Sequence, residues 1–174
     1  MFSIENQPVR MIWSPSVEKK GKKEQVAAST WHIEFDAPNT FLDKIDRELR
    51  PAWFRRPTSS EVDLADQADP RMDDPDYLPE LRTQTIDNEF IDLKGSMHGA
   101  TFKVHQGLSG PSDIEVEDVR VDEYKVGPRA GGTVRVKLRV YGKPDSVQYF
   151  YENNHGEAVV SIIEPTSDQG SLDV

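Results

Sequence analysis

Four lysines fall within five positions, Lys19, Lys20, Lys22 and Lys23, and further along the run PAWFRRP sets Trp53 and Phe54 beside Arg55 and Arg56. Ammonium and guanidinium groups that meet phosphates, with aromatic rings on which bases stack, are the means by which a single nucleic-acid strand is held. These eight residues are therefore candidate contacts for nucleic acid or for a partner protein. Other chemistries find less support. The chain has no cysteine, which excludes disulfides, thiolate zinc sites and a cysteine nucleophile. Its four histidines, His32, His98, His105 and His155, form no HxH or HExxH pair, so no metal is expected. A serine triad lacks the G-x-S-x-G turn that would present it. The glycine-rich runs GPRAGG and GLSGPS precede no helical pattern and read as turns, not phosphate loops. No cofactor is expected.

A second pattern lies in PDYLPELRTQTIDNEFIDLK, where Pro75-Asp76 is followed after fifteen residues by Asp92-Leu93-Lys94. This resembles the PD-(D/E)xK nuclease signature. The resemblance implies that Asp76 and Asp92 would hold Mg²⁺ and that Lys94 would orient the attacking water, with Glu48 as a third acid. It spans twenty residues and departs from the family, since Asp76 falls in an irregular acidic loop and no αβ crossover follows Lys94.

The elements that must carry these residues follow from periodicity. Val9, Met11 and Trp13 alternate, as do Trp31, Ile33 and Phe35, which predicts two strands joined by a long positive loop. In PNTFLDKIDRELRP, Asn39 or Thr40 can cap a helix that Pro51 stops, with Phe41, Leu42, Ile45 and Leu49 on one face. Residues 57–80 read as an irregular acidic loop, and RTQTIDNEFIDLK and MHGATFKVH as two further strands. Strands near 113–126, 133–141, 146–152 and 157–163, separated by turn residues, suggest a C-terminal meander. The expected fold is β-rich α+β: a single antiparallel sheet, meander or barrel-like domain over 1–164, one short helix packed on it, and a flexible tail over 165–174.

Charge is uneven along the chain. The net value is −10, yet residues 60–93 alone carry 11 acidic against 2 basic side chains. Asp69, Asp73, Asp74 and Asp76 are the candidate acidic partner surface, a row of carboxylates able to imitate nucleic acid before a basic enzyme. In Val134–Val140 a basic ladder, Arg135, Lys137 and Arg139, alternates with aliphatic residues. A turn at 128–131 would set Val121 against Leu138 and Val119 against Val140 inside. Outside, it would set Asp122 against Lys137, Arg120 against Arg139 and Tyr124 against Arg135. That predicts an ordinary charge-paired face. The alternation slips at Glu117-Asp118, which predicts a bulge.

The stretch from Gly99 to Gly142, with its SDIEVEDVRVD and GGTVRVKLRV strands, resembles small uncharacterised phage or prophage early-region proteins. The resemblance implies a mobile-element context and work done by binding, in DNA metabolism or counter-defence. The expected protein is thus a non-enzymatic cytoplasmic binder. Its partner is single-stranded nucleic acid or a host nucleic-acid-processing protein. No apolar run is long enough for a membrane span, and open strand edges could pair two copies as a homodimer.

Overall fold

The computed structural model describes residues 2–20, 24–58, 71, 74–106, 112–142 and 155–165. Two long strands open the chain, β1 (Ile4–Lys20) and β2 (Glu24–Pro38). A 3-10 turn (Asn39–Lys44) and helix α1 (Leu49–Trp53) follow, then the two-residue strands β3 (Phe54–Arg55), β4 (Glu80–Leu81) and β5 (Ile91–Asp92). The remaining strands are β6 (Met97–His105), β7 (Ile114–Arg129), β8 (Thr133–Gly142) and β9 (His155–Ile163). The main sheet runs β5-β7-β6-β9-β1-β2-β8, and β8 pairs back onto β7. Six antiparallel strands therefore close into a barrel, with β5 as an outer strand. The β-rich, barrel-like expectation holds.

Four expectations differ. The strands flanking the lysine run do not stop short of it, because pairing continues to Lys19↔Gln25 and Lys20↔Glu24. The predicted single helix is two short turns. Asp46 Oδ1 accepts the Glu48 N–H at 2.9 Å, a local bond that competes with helix continuation. Pro51 does not end a helix but sits in the first turn of α1, where its missing N–H costs nothing. In the stretch expected as one strand before Gly95, Gln84–Ile86 is a 3-10 turn and only Ile91–Asp92 is extended. Nor is the C-terminal third a simple meander, since β9 lies between β6 and β1 while β8 takes β2 and β7 as neighbours. The strand expected near 146–152 and the tail beyond Pro165 lie outside the described residues.

The chain groups into two compact units. The first comprises Met1–Phe35, Leu93–Tyr124 and Lys137–Val174, and it buries the alternating residues expected inside, Val9, Met11, Trp13, Trp31, Ile33, Phe35, Val119, Val121, Leu138 and Val140. Trp31 and Phe102 pack at 5.2 Å between ring centroids. The second comprises Asp36–Asp92 and Lys125–Val136 and buries Leu42, Phe54, Leu81, Val126, Val134 and Val136.

Bulges decide which side chains reach the first of these cores. Val116↔Phe102 and Val119↔Ala100 leave Glu117 and Asp118 opposite Thr101 alone, with Asp118 at φ 55°. This is the predicted slip. A second left-handed residue, Glu123 at φ 51°, has no counterpart in the sequence reading. Beyond it Tyr124 turns inward, only 1% exposed, and meets Phe2 edge-on. Tyr124 therefore does not stand on the wet face opposite Arg135. Burial, with the Asp122 and Glu164 carboxylates nearby, pushes its phenol above the ordinary range.

Among the described residues no helix is long and apolar enough to cross a membrane. At Gly142 a Cβ would stand 2.8 Å from Val119 Cγ1, in a core with no room for it. Gly142→Ala should therefore lose about 1–3 kcal/mol of stability through overpacking, read as a lower midpoint in urea denaturation with an unchanged slope.

Candidate functional site

The basic ladder of β8 is neutralised cation by cation. Arg135 makes a two-pronged contact with Asp36 at 2.7 and 2.8 Å, and Lys137 meets Glu34 at 3.2 Å. Arg139 forks onto Asp122 at 2.8 and 3.2 Å and reaches Glu123 at 2.7 Å. Arg120 pairs with Asp122 at 3.0 Å and lies 4.9 Å over the Tyr141 ring. The expected like-charge opposition of Arg120 and Arg139 is replaced by a shared acid, Asp122. Asp122 and Glu123, the latter left-handed, both reach this one guanidinium. Asp122 holds Arg139 firmly protonated, raising its already high pKa. The ladder is a charge-paired face.

The nuclease-like residues are dispersed. Asp76 lies in a turn, 77% exposed, and Asp92 at the end of β5 is 79% exposed and paired with Lys125 at 3.1 Å. Lys94 and Glu48 are exposed, the latter at the start of α1. Among the described residues no three histidine or carboxylate side chains gather as a metal could use them.

Of the predicted contact residues, Lys19 and Lys20 are placed by the strand pairing of their backbones, while Lys22 and Lys23 lie outside the described residues, as do Asp69 and Asp73. Phe54 offers no stacking face, being fully buried opposite Leu81, because strand alternation turns it inward and Arg55 outward across from Glu80. Trp53 is half-buried and Arg56 exposed.

The second unit also forms a cleft the sequence reading missed. Its volume is about 540 Å³, and it is lined by Asp43, Lys44, Arg47, Arg50, Pro51, Asp76 and Leu78. Beside it Asn39 donates its N–H to Gly132 O at 2.9 Å and its side-chain amide to Leu78 O at 2.7 Å. These bonds tie the 3-10 turn down while Phe41 and Leu42 bury beneath it. Arg50, 14% exposed, lies between Asp43 at 3.3 Å and Asp76 at 3.6 Å. Asp74 Oδ1 accepts the Asp76 N–H at 2.9 Å and shapes the turn that delivers the second carboxylate. Lys44 and Arg47 stand exposed on the rim, the former 5.5 Å from the Phe41 ring centre. Among the described lining residues three cations stand against two acids, in a protein of net charge −10. The spacing of Lys44, Arg47 and Arg50, three residues apart, was the signal available in the sequence.

Comparison of the chain with protein-family models, with curated proteins and with solved structures gives no match.

Removing the Arg50 side chain leaves Asp43 and Asp76 without the ion-pair partner they share. Arg50→Ala should cost about 1–3 kcal/mol, the penalty for an orphaned, partly buried acid. Arg47→Ala on the rim should stay within about 0.5 kcal/mol. Urea denaturation of both variants measures the difference.

Proposed function

We propose that the protein works by binding, taking a single nucleic-acid strand through the cleft of Lys44, Arg47 and Arg50, with the half-buried Trp53 at the end of α1 as a stacking surface. The observation that carries this reading is the retention of positive charge at the cleft while the cations of the β8 ladder are all paired with carboxylates. Arg50 already holds one exposed carboxylate, that of Asp76, where a phosphate would sit. An incoming phosphate exchanges with a group of like charge, so the site is occupied by the acidic segment until a ligand displaces it. The lysine run that starts at Lys19 and Lys20, the last residues of β1, supplies a second cationic element. The resemblance of residues 99–142 to phage early-region proteins supports a mobile-element setting for this activity, in DNA metabolism or counter-defence.

Anisotropy of a labelled oligothymidine at rising salt tests the reading. About three phosphates met at the cleft should give a slope near −2 in log K against log salt, and Lys44→Ala or Arg47→Ala should each flatten it by about 0.7. Asp76→Asn should tighten binding by removing the internal competitor. No binding at low salt would overturn the proposal. Capture of a basic nucleic-acid enzyme instead, weakened by Asp74→Asn and Asp76→Asn, would assign the work to the acidic segment.

A further inference from the structure

The first unit holds a polar chain that local motifs give no hint of. On β6 and β9, Phe102, Val104, Val160 and Ile162 point inward, which turns Lys103, His105 and Ser161 to the other face. His105 Nδ1 lies 2.9 Å from Asp113 Oδ2, and His105 Nε2 lies 2.8 Å from Ser161 Oγ. Asp113, 9% exposed at the entry to β7, accepts the Gln106 N–H on its other oxygen at 2.9 Å. That backbone bond, then the bond from His105, holds its carboxyl below the ordinary carboxylate range. The anion fixes Nδ1 as the protonated ring nitrogen and leaves Nε2 as the acceptor.

The direction of the last bond follows. Ser161 Oγ accepts the Asn6 N–H at 2.9 Å, so its own proton is left for His105 Nε2, and one lone pair stays free. The Asn6 N–H is available because β1 slips against β9 between Ile4 and Gln7, with Asn6 at φ 47°. A serine alone would satisfy that N–H. An imidazole and an anionic carboxylate behind the hydroxyl are more than the bulge requires, and together they are the apparatus that makes a serine nucleophilic.

We propose that Ser161 is a base-activated nucleophile, with His105 as its base and Asp113 orienting the ring, acting on small activated esters with an apolar acyl group. Val159 and Ile163 flank Ser161 two residues away on the same face, 37% and 48% exposed, and offer the acyl chain an apolar shelf. Ser161 Oγ attacks the acyl carbon as its proton passes to Nε2. His105 then returns the proton to the departing alkoxide, releasing the alcohol and leaving an ester on Ser161. Water, deprotonated by His105, attacks that ester, frees the carboxylic acid and restores the hydroxyl. Lys103, directly across the ladder from Ser161, is the cation nearest in register to a developing oxyanion, although its ammonium now rests 3.4 Å from Glu115 and 3.8 Å from Asp113 Oδ2. Ser161 is only 5% exposed, which restricts the site to small substrates.

An alkyl fluorophosphonate probe on the full chain tests this, since the Ser161 oxygen would displace fluoride from phosphorus and keep the adduct. Intact mass and peptide mapping should find one adduct, at Ser161, that forms in native buffer and not in urea. His105→Gln, checked for native circular dichroism, should slow it by about a hundredfold or more. Folded wild-type protein that stays unlabelled, or labels elsewhere, overturns the proposal without any variant. Folded His105→Gln protein that labels at the wild-type rate overturns it equally.

Discussion

The bulge at Asp118, where two residues of β7 stand against one of β6, and the further left-handed residue at Glu123 set the terms for much of the barrel wall. A strand has two faces, and the residues along it alternate between them unless one is inserted. Each insertion exchanges the faces from that point on. Val119 and Val121 face the core on one side of Glu123, and Tyr124 and Val126 continue inward on the other, although their spacing from Val121 would put both outside. Asn6 in β1 and Gly99 in β6, both left-handed and both at register shifts, do the same for their strands. The polar chain through Ser161 begins at one of these irregularities and the Arg139 cluster at another. Irregular backbone is thus where the polar side chains of this barrel converge.

Charge follows a related logic. The wet face of β8 carries its cations opposite acids of β2 and β7, so a ladder that looks like a basic stripe in the sequence has little field of its own. The cleft beside α1 is different because its acids are met mainly by one side chain, Arg50, and the two rim cations project past it. Local positive potential here comes from stoichiometry within a small group, and the overall acidity of the chain does not cancel it at short range.

Much of this fold could be read from residue types. Alternation marked β1, β2, β6, β7 and β8, and their inward residues are buried as expected. The strand order that closes the barrel could not be read, because it depends on which distant strands pair, and β9 between β6 and β1 leaves no local trace. Phe54 looked like an exposed ring because two arginines follow it, yet a two-residue strand was enough to bury it. Lys44, Arg47 and Arg50 lie off the apolar face of PNTFLDKIDRELRP, in a helical pattern that does not form as one piece. His105, Asp113 and Ser161 come from three strand ends, and no spacing rule connects them.

The pairing of β1 with β9 sets Ile4 against Ile162, almost the full length of the described chain apart. Joining them closes a very large loop, whose entropy must be given up before the contacts it allows can compensate. The β1–β2 hairpin can form early from local contacts, but the barrel stays open at β1 and β6 until the last strand arrives. Until β9 docks, the chain presents two unpaired strand edges, the kind of surface that recruits chaperones or neighbouring chains. Closure of the barrel therefore waits on a single strand.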